Sequence, residues 1–189
     1  MIIGITGGTG CGKTTLLKEI EARGGQVLDC DAVYHELLTR DMALLNAIND
    51  RFPGVVVDQK LERKKLGAIV FADENALQDL NAITHGAIKA EIVRRLAEKP
   101  DLAAIDAIAL FEGGLADLCD TTVAVTAPRD SRIQRLMARD SISREYAEKR
   151  IDAQKSESWF RQMCAYTLHN DGTQDQFREK CSEFLDSIL

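Results

Sequence analysis

A chain of 189 residues that is 45% apolar and 29% charged has room for one complete core, and it is neither disordered nor fibrous in composition. A formal net charge of −6 excludes a general affinity for nucleic acid or anionic membrane and leaves only a local cationic site for an anionic ligand. The five scattered cysteines, Cys11, Cys30, Cys119, Cys164 and Cys181, disfavour a disulfide framework and a zinc site. With no apolar run of signal-peptide or membrane-spanning length, they lead us to expect an unsecreted cytoplasmic protein with reduced thiols.

Residues 2–6 form a short β-branched run that ends in glycines and reads as a strand. Residues 14–23 place Leu16, Leu17 and Ile20 at helical spacing before Gly24 and Gly25 stop the helix. Between them stand Gly7, Gly8, Thr9, Gly10, Cys11, Gly12, Lys13 and Thr14, which match the phosphate-binding P-loop pattern in full and in the strand-to-helix context it requires. Glycines let successive backbone N–H groups turn toward phosphate oxygens, and the N-terminus of the following helix adds partial positive charge. Lys13 is expected to reach the β- and γ-phosphates of ATP. The Thr14 hydroxyl is expected to ligate Mg²⁺, with Thr15 assisting from the next turn. Cys11 reads either as a small residue tolerated in a tight loop or as a thiol acidified by the surrounding N–H donors.

Residues 26–30 resemble a second strand, which would carry Asp29 and Asp31 on one side of its carboxyl end, where open parallel sheets bind ligands. Residues 32–99 are mainly helical in pattern. Residues 103–109 form a buried-strand candidate, and residues 121–127 an alternating one broken by Pro128. Three basic helices follow over 129–139, 143–154 and 157–165, then a short last strand at 167–169. Thr173 and Gln176 form a capping-box pattern for a terminal helix through Phe177, Phe184 and Ile188.

These elements predict an α/β chain with the three-layer P-loop kinase fold, a parallel sheet with a helical acceptor-binding insertion and a helical lid. The expected division is a single domain with a core of about 1–31, 101–128 and 166–189, an insertion of about 32–100 and a lid of about 129–165. A guanine-reading Asn-Lys-x-Asp segment and a transporter signature are both missing, which points to a small-molecule kinase. Phosphoryl transfer requires positioning, cations on the moving group and a carboxylate to orient or deprotonate the acceptor hydroxyl. Asp31 is the candidate base and Asp29 a support for magnesium through its water, although Asp31 also fits a helix cap. Arg132, Arg135 and Arg139 share one helix face and either close over the phosphates or form a solvated surface. His35 and Trp159 read as packing residues at least as readily as ligand contacts.

Beyond the loop, several segments carry a family likeness: Asp29-Cys30-Asp31, Leu61 through Phe71, Leu80-Asn81-Ala82-Ile83-Thr84-His85, Asp106 through Glu112, Arg135 through Asp140, Arg150 through Gln154, and Asn170-Asp171-Gly172. Together they resemble the dephospho-CoA kinases, over nearly the whole chain and in the right order. The resemblance implies ATP- and Mg²⁺-dependent phosphorylation of the ribose 3′-hydroxyl of dephospho-CoA, the last step of coenzyme A synthesis. It implies catalytic roles for Asp31, Lys13, Arg135 and Arg139, and acceptor contacts from Asp29, Asp31, His85, Leu110 and Glu112. ATP contacts are implied for Gly8 through Thr15 and for Asn170 beside the base, with no obligate protein partner. Cys11 and Thr14 stand where the family usually has serine, Gly86 and Ile108 where it has proline, Ala109 where it has leucine, Arg132 where it has glutamine and Tyr166 where it has aspartate. Another small-molecule kinase, or a catalytically idle nucleotide-binding module, remains as the alternative reading.

Overall fold

The computed structural model describes residues 1–189 and divides them into two compact units, Met1–Leu28 with Lys99–Leu189, and Asp29–Glu98. In chain order the elements are β1 (Ile2–Thr6), α1 (Lys13–Ala22), β2 (Gln26–Asp29), α2 (Cys30–Arg40), α3 (Met42–Arg51), β3 (Val56–Val57), β4 (Lys60–Leu61), α4 (Arg63–Val70) and α5 (Glu74–Leu96). Then come β5 (Ala103–Asp106), β6 (Thr121–Thr126), α6 (Arg129–Asp140), α7 (Arg144–Asp152), α8 (Glu157–Met163), β7 (Tyr166–His169) and α9 (Gln174–Ile188). No helix is long and apolar enough to cross a membrane.

The first unit is built on a five-stranded sheet of order β2-β5-β1-β6-β7 with helices on both sides. β1 runs parallel to β5 and β6, and β6 parallel to β7, with Ile3 opposite Ala104 and Thr121. Central parallel strands bury both faces, and β1 does so with alternate residues. Ile3 and Ile5 enter a core with Leu16 and Ile20 of α1 and Phe177, Cys181 and Leu185 of α9. Gly4 points the other way, where a Cβ would lie 2.8 Å from Cys119 Sγ and 2.9 Å from Leu110 Cδ2. α6 and α7 close a separate small core of Ile133, Leu136, Ala147 and Ile151.

The helical unit is formed by α2 to α5 and holds a hairpin that periodicity does not reveal, Val56 opposite Leu61 and Val57 opposite Lys60. Its polar centre is Glu91 of α5, which is only 7% exposed and accepts from Arg94 and Arg95 of its own helix and from Arg40 of α2 at 2.7–2.8 Å. These guanidinium groups, Arg94 foremost, hold its carboxyl well below the usual carboxylate range.

Three sequence expectations are corrected. β2 ends at Asp29, whose Oδ1 accepts from the N–H groups of Asp31 and Ala32, so the helix begins two residues early. Asp29 and Asp31 are therefore not strand neighbours facing one side: Asp29 is the cap, and Asp31 lies in the first turn of α2. β5 stops at Asp106, short of residue 109, and the chain turns there. β6 is buried on both faces from Val123 to Thr126 rather than alternating, because strands and helices cover it on every side.

Candidate active site

The loop between β1 and α1 is made from main chain. Gly12 has φ +100°, and a Cβ there would lie 2.3 Å from Asn170 Nδ2, so a side chain is both strained and blocked at this position. Gly12 N-caps α1, which opens on Lys13 and carries no acidic residue in its first turn, leaving the positive end of the helix uncompensated by its own side chains. Lys13 donates from Nζ to the Gly7 carbonyl at 3.2 Å and lies 3.8 Å from Asp106 Oδ1. Asp106 is thus brought to the loop by the end of β5, the neighbour of β1.

Other side chains brace this loop from distant parts of the sequence. Asn170, at the end of β7, donates its amide to the Cys11 carbonyl at 2.9 Å. Arg135 donates to the carbonyls of Gly10 and Cys11 at 3.2 and 3.4 Å. Arg132 donates Nε to the Thr9 carbonyl at 2.9 Å, and Gln154 accepts the Thr9 N–H at 2.8 Å. Thr14 is exposed, and a groove of about 400 Å³ runs beside it, lined by Thr14, Thr15, Lys18, Glu19, Gln174, Asp175 and Arg178.

The arginine face expected over the phosphates divides. Arg132 and Arg135 reach the loop, whereas Arg139 turns back on its neighbour Asp140, with bonds of 2.7 and 3.0 Å, and Arg150 joins the same carboxylate at 2.5 Å. The side chain of Asn170 is held by the loop main chain through its amide N–H. Cys11 is 1% exposed, with its side chain in the core beneath the loop, and burial pushes its thiol pKa up. Burial thus works against an acidified thiol, and the loop presents the main chain of Cys11, not its sulfur. Leu110 is fully buried against the sheet and cannot line an acceptor pocket with its side chain, whereas Glu112 in the same turn is exposed.

Asp29, Asp31 and His85 belong to the helical unit. Asp31 presents an exposed carboxylate in the first turn of α2. His85 is half-buried in the middle of α5. His35 meets Arg63 at 3.2 Å, and Trp159 packs edge-on between Phe111 and Phe160 with Lys155 over its ring.

Sequence reading offered Arg132 only as part of an arginine face over the phosphates, and gave no individual role to Gln154 or Asp106. Only Asp106 left a local signal, a carboxylate ending a buried strand. The other two act through contacts 123 and 145 residues away. The oxygen donors around the loop include a threonine hydroxyl and a carboxylate, hard oxygens of the kind magnesium takes, and no group of three or more His, Cys, Asp or Glu is placed to hold a metal ion by itself.

The family model for dephospho-CoA kinase matches residues 1–176. A dephospho-CoA kinase from Latilactobacillus sakei is 32% identical over 98% of this chain and 95% of its own. A solved protein from Thermus thermophilus is 30% identical with a TM-score of 0.83, covering 100% of this chain and 98% of that one. The solved dephospho-CoA kinase from Campylobacter jejuni is 25% identical with a TM-score of 0.70, over 99% and 96%.

Proposed function

The chain belongs to the dephospho-CoA kinase family, and on that premise we propose that it moves the γ-phosphoryl group of ATP to the ribose 3′-hydroxyl of dephospho-CoA, giving CoA and ADP as the last step of coenzyme A synthesis. The observation that carries this reading is the braced glycine loop with Lys13 at the N-terminus of α1, a preformed anion cradle. The N–H groups of the loop and the ammonium of Lys13 take the β- and γ-phosphates, so Lys13 exchanges the Gly7 carbonyl for phosphate oxygen. Arg135 adds charge beside them. Thr14, with Asp106 behind Lys13, would hold Mg²⁺, which supplies charge neutralisation of the phosphates when bound.

Asp31 takes the proton of the 3′-hydroxyl as the oxygen–phosphorus bond forms and the bond to the β-phosphate oxygen breaks. Asp29 supports it by capping α2, and His85, Glu112 and the acceptor-like segment around Asn81 contact the dephospho-CoA. Arg139 contributes to transfer once it leaves Asp140. We place the enzyme in the cytoplasm, with no nucleic acid, membrane or obligate protein partner.

A coupled ADP-release assay with dephospho-CoA and a panel of nucleosides, nucleotides and sugar acids tests the acceptor. ADP release is expected with dephospho-CoA alone. Equal or greater turnover with another acceptor would remove the substrate assignment, and ATP binding without turnover in any arm would favour an idle module.

A further inference from the structure

The peptide groups around Thr9 are clamped at both polar ends. The Thr9 carbonyl accepts from Arg132 Nε at 2.9 Å, and its N–H donates to Gln154 Oε1 at 2.8 Å, an oxygen that also accepts from Arg132 Nη2 at 3.3 Å. The three residues therefore close a ring that joins the loop to α6 and to the turn after α7. The glycines flanking Thr9 lie against the same arginine. A Cβ on Gly8 would sit 2.2 Å from Arg132 Nη2, and one on Gly10 would sit 2.8 Å from the Arg132 carbonyl.

Arg132 is 9% exposed, and a buried guanidinium is costly unless its donors are engaged. Its engaged donors serve the loop directly or through Gln154. A surface-anchoring arginine would instead meet a carboxylate, as Arg129 meets Asp152 on the preceding turn of the same helix. The planar fork allows Nε and Nη2 to hold two acceptors at a fixed spacing, which a lysine ammonium does not do.

We infer that Arg132 is a positioning residue for the nucleotide, holding the Gly8–Gly10 stretch in its phosphate-receiving shape through the Thr9 peptide and Gln154. It does not touch the reacting atoms. The inference rests on the nucleotide-binding reading of the loop but not on the identity of the acceptor.

The test is an equilibrium titration of the purified full chain with ATP and Mg²⁺, beside initial rates and thermal unfolding, for wild type, Arg132→Met, Arg132→Lys, Gln154→Leu and the Arg132→Met/Gln154→Leu pair. Arg132→Met is expected to raise both Kd and KM for ATP about tenfold, the loss of a charge-assisted bond. Its kcat at saturating ATP should stay within about threefold, and its KM for dephospho-CoA should not move. Lysine should restore less than half of the lost affinity, and Gln154→Leu should shift ATP affinity the same way by a smaller factor. The pair should fall short of the product of the single effects, because they share one ring.

An unchanged ATP Kd in Arg132→Met, or a loss spread equally over kcat and both KM values in step with a lower Tm, would reduce Arg132 to a packing residue. If Arg132→Met does not fold, Gln154→Leu decides: unchanged ATP affinity overturns the inference. The Kd arm needs no acceptor, so it still decides if dephospho-CoA proves not to be the substrate.

Discussion

At the scale of single residues, the loop was legible because its chemistry is local: glycine spacing, lysine and a hydroxyl all lie within eight positions. The bracing was not: Arg132, Arg135 and Asn170 stood out as candidate nucleotide contacts, but with Gln154 they find their loop partners only after the sheet has formed. The direction of the Cys11 side chain was equally hidden, because a glycine-rich turn has no period from which to infer it. Its burial makes a prediction. Maleimide labelling of the native protein, mapped by mass spectrometry, should modify half-buried Cys164 well before Cys11, which should react only on unfolding. Rapid labelling of Cys11 blocked by ATP would restore the acidified thiol. Asp31→Asn keeps the shape of the first turn of α2 and removes a proton acceptor. It should lower kcat by a factor of about 10²–10⁴ with ATP affinity nearly unchanged, and near-normal turnover would move the base elsewhere.

At the scale of elements, what could be read from sequence tracks how local each stop signal is. The terminal helix begins at Thr173 with its Gln176 capping box formed in both directions, a device contained in four residues. The hairpin at Val56–Leu61 escaped because two-residue strands show no alternation, and its turn uses Asp58 and Gln59 at φ 48° and 61° with no glycine to mark it. The start of α2 escaped because Asp31 also fits a helix cap, whereas two N–H donors make Asp29 the cap instead. Asp29→Ala should therefore cost about 1 kcal/mol in a denaturant titration, whereas Asp29→Asn, another good cap, should cost much less. An equal loss in both would show that charge, not capping, is what Asp29 supplies to stability.

At the scale of the whole molecule, the shifted groups bound the pH range of stability. Every carboxylate with a resolved shift, Glu91, Asp140, Asp152 and Asp171, lies below its ordinary value because arginine or lysine faces it or, for Asp171, because a backbone hydrogen bond comes first. The unfolded chain then binds more protons than the folded one, so stability is fully present above the ordinary carboxylate range and is lost as pH falls through the folded values. The thiols set the other limit. Burial pushes Cys119 and Cys181 up to about 12, so the unfolded chain ionises first and stability falls as pH rises above the ordinary thiol value of 9.0. Of the acids, Asp152 and Asp171 face solvent and Asp140 is partly exposed, so screening weakens their pairs, whereas the Glu91 carboxylate is buried beneath its three arginines. Most of the acid limb should therefore belong to Glu91. In denaturant titrations across pH, Glu91→Gln should be less stable than wild type by a constant amount above 4.5, the ordinary value of that carboxyl, and the gap should narrow as pH falls below it. Added salt should narrow the gap only in part, because the carboxylate is buried while Arg40 and Arg94 stay open to solvent. A gap that stays constant down to acid unfolding would mean that Glu91 acts through its shape and hydrogen bonds alone, and that the exposed aspartates carry the acid limb after all.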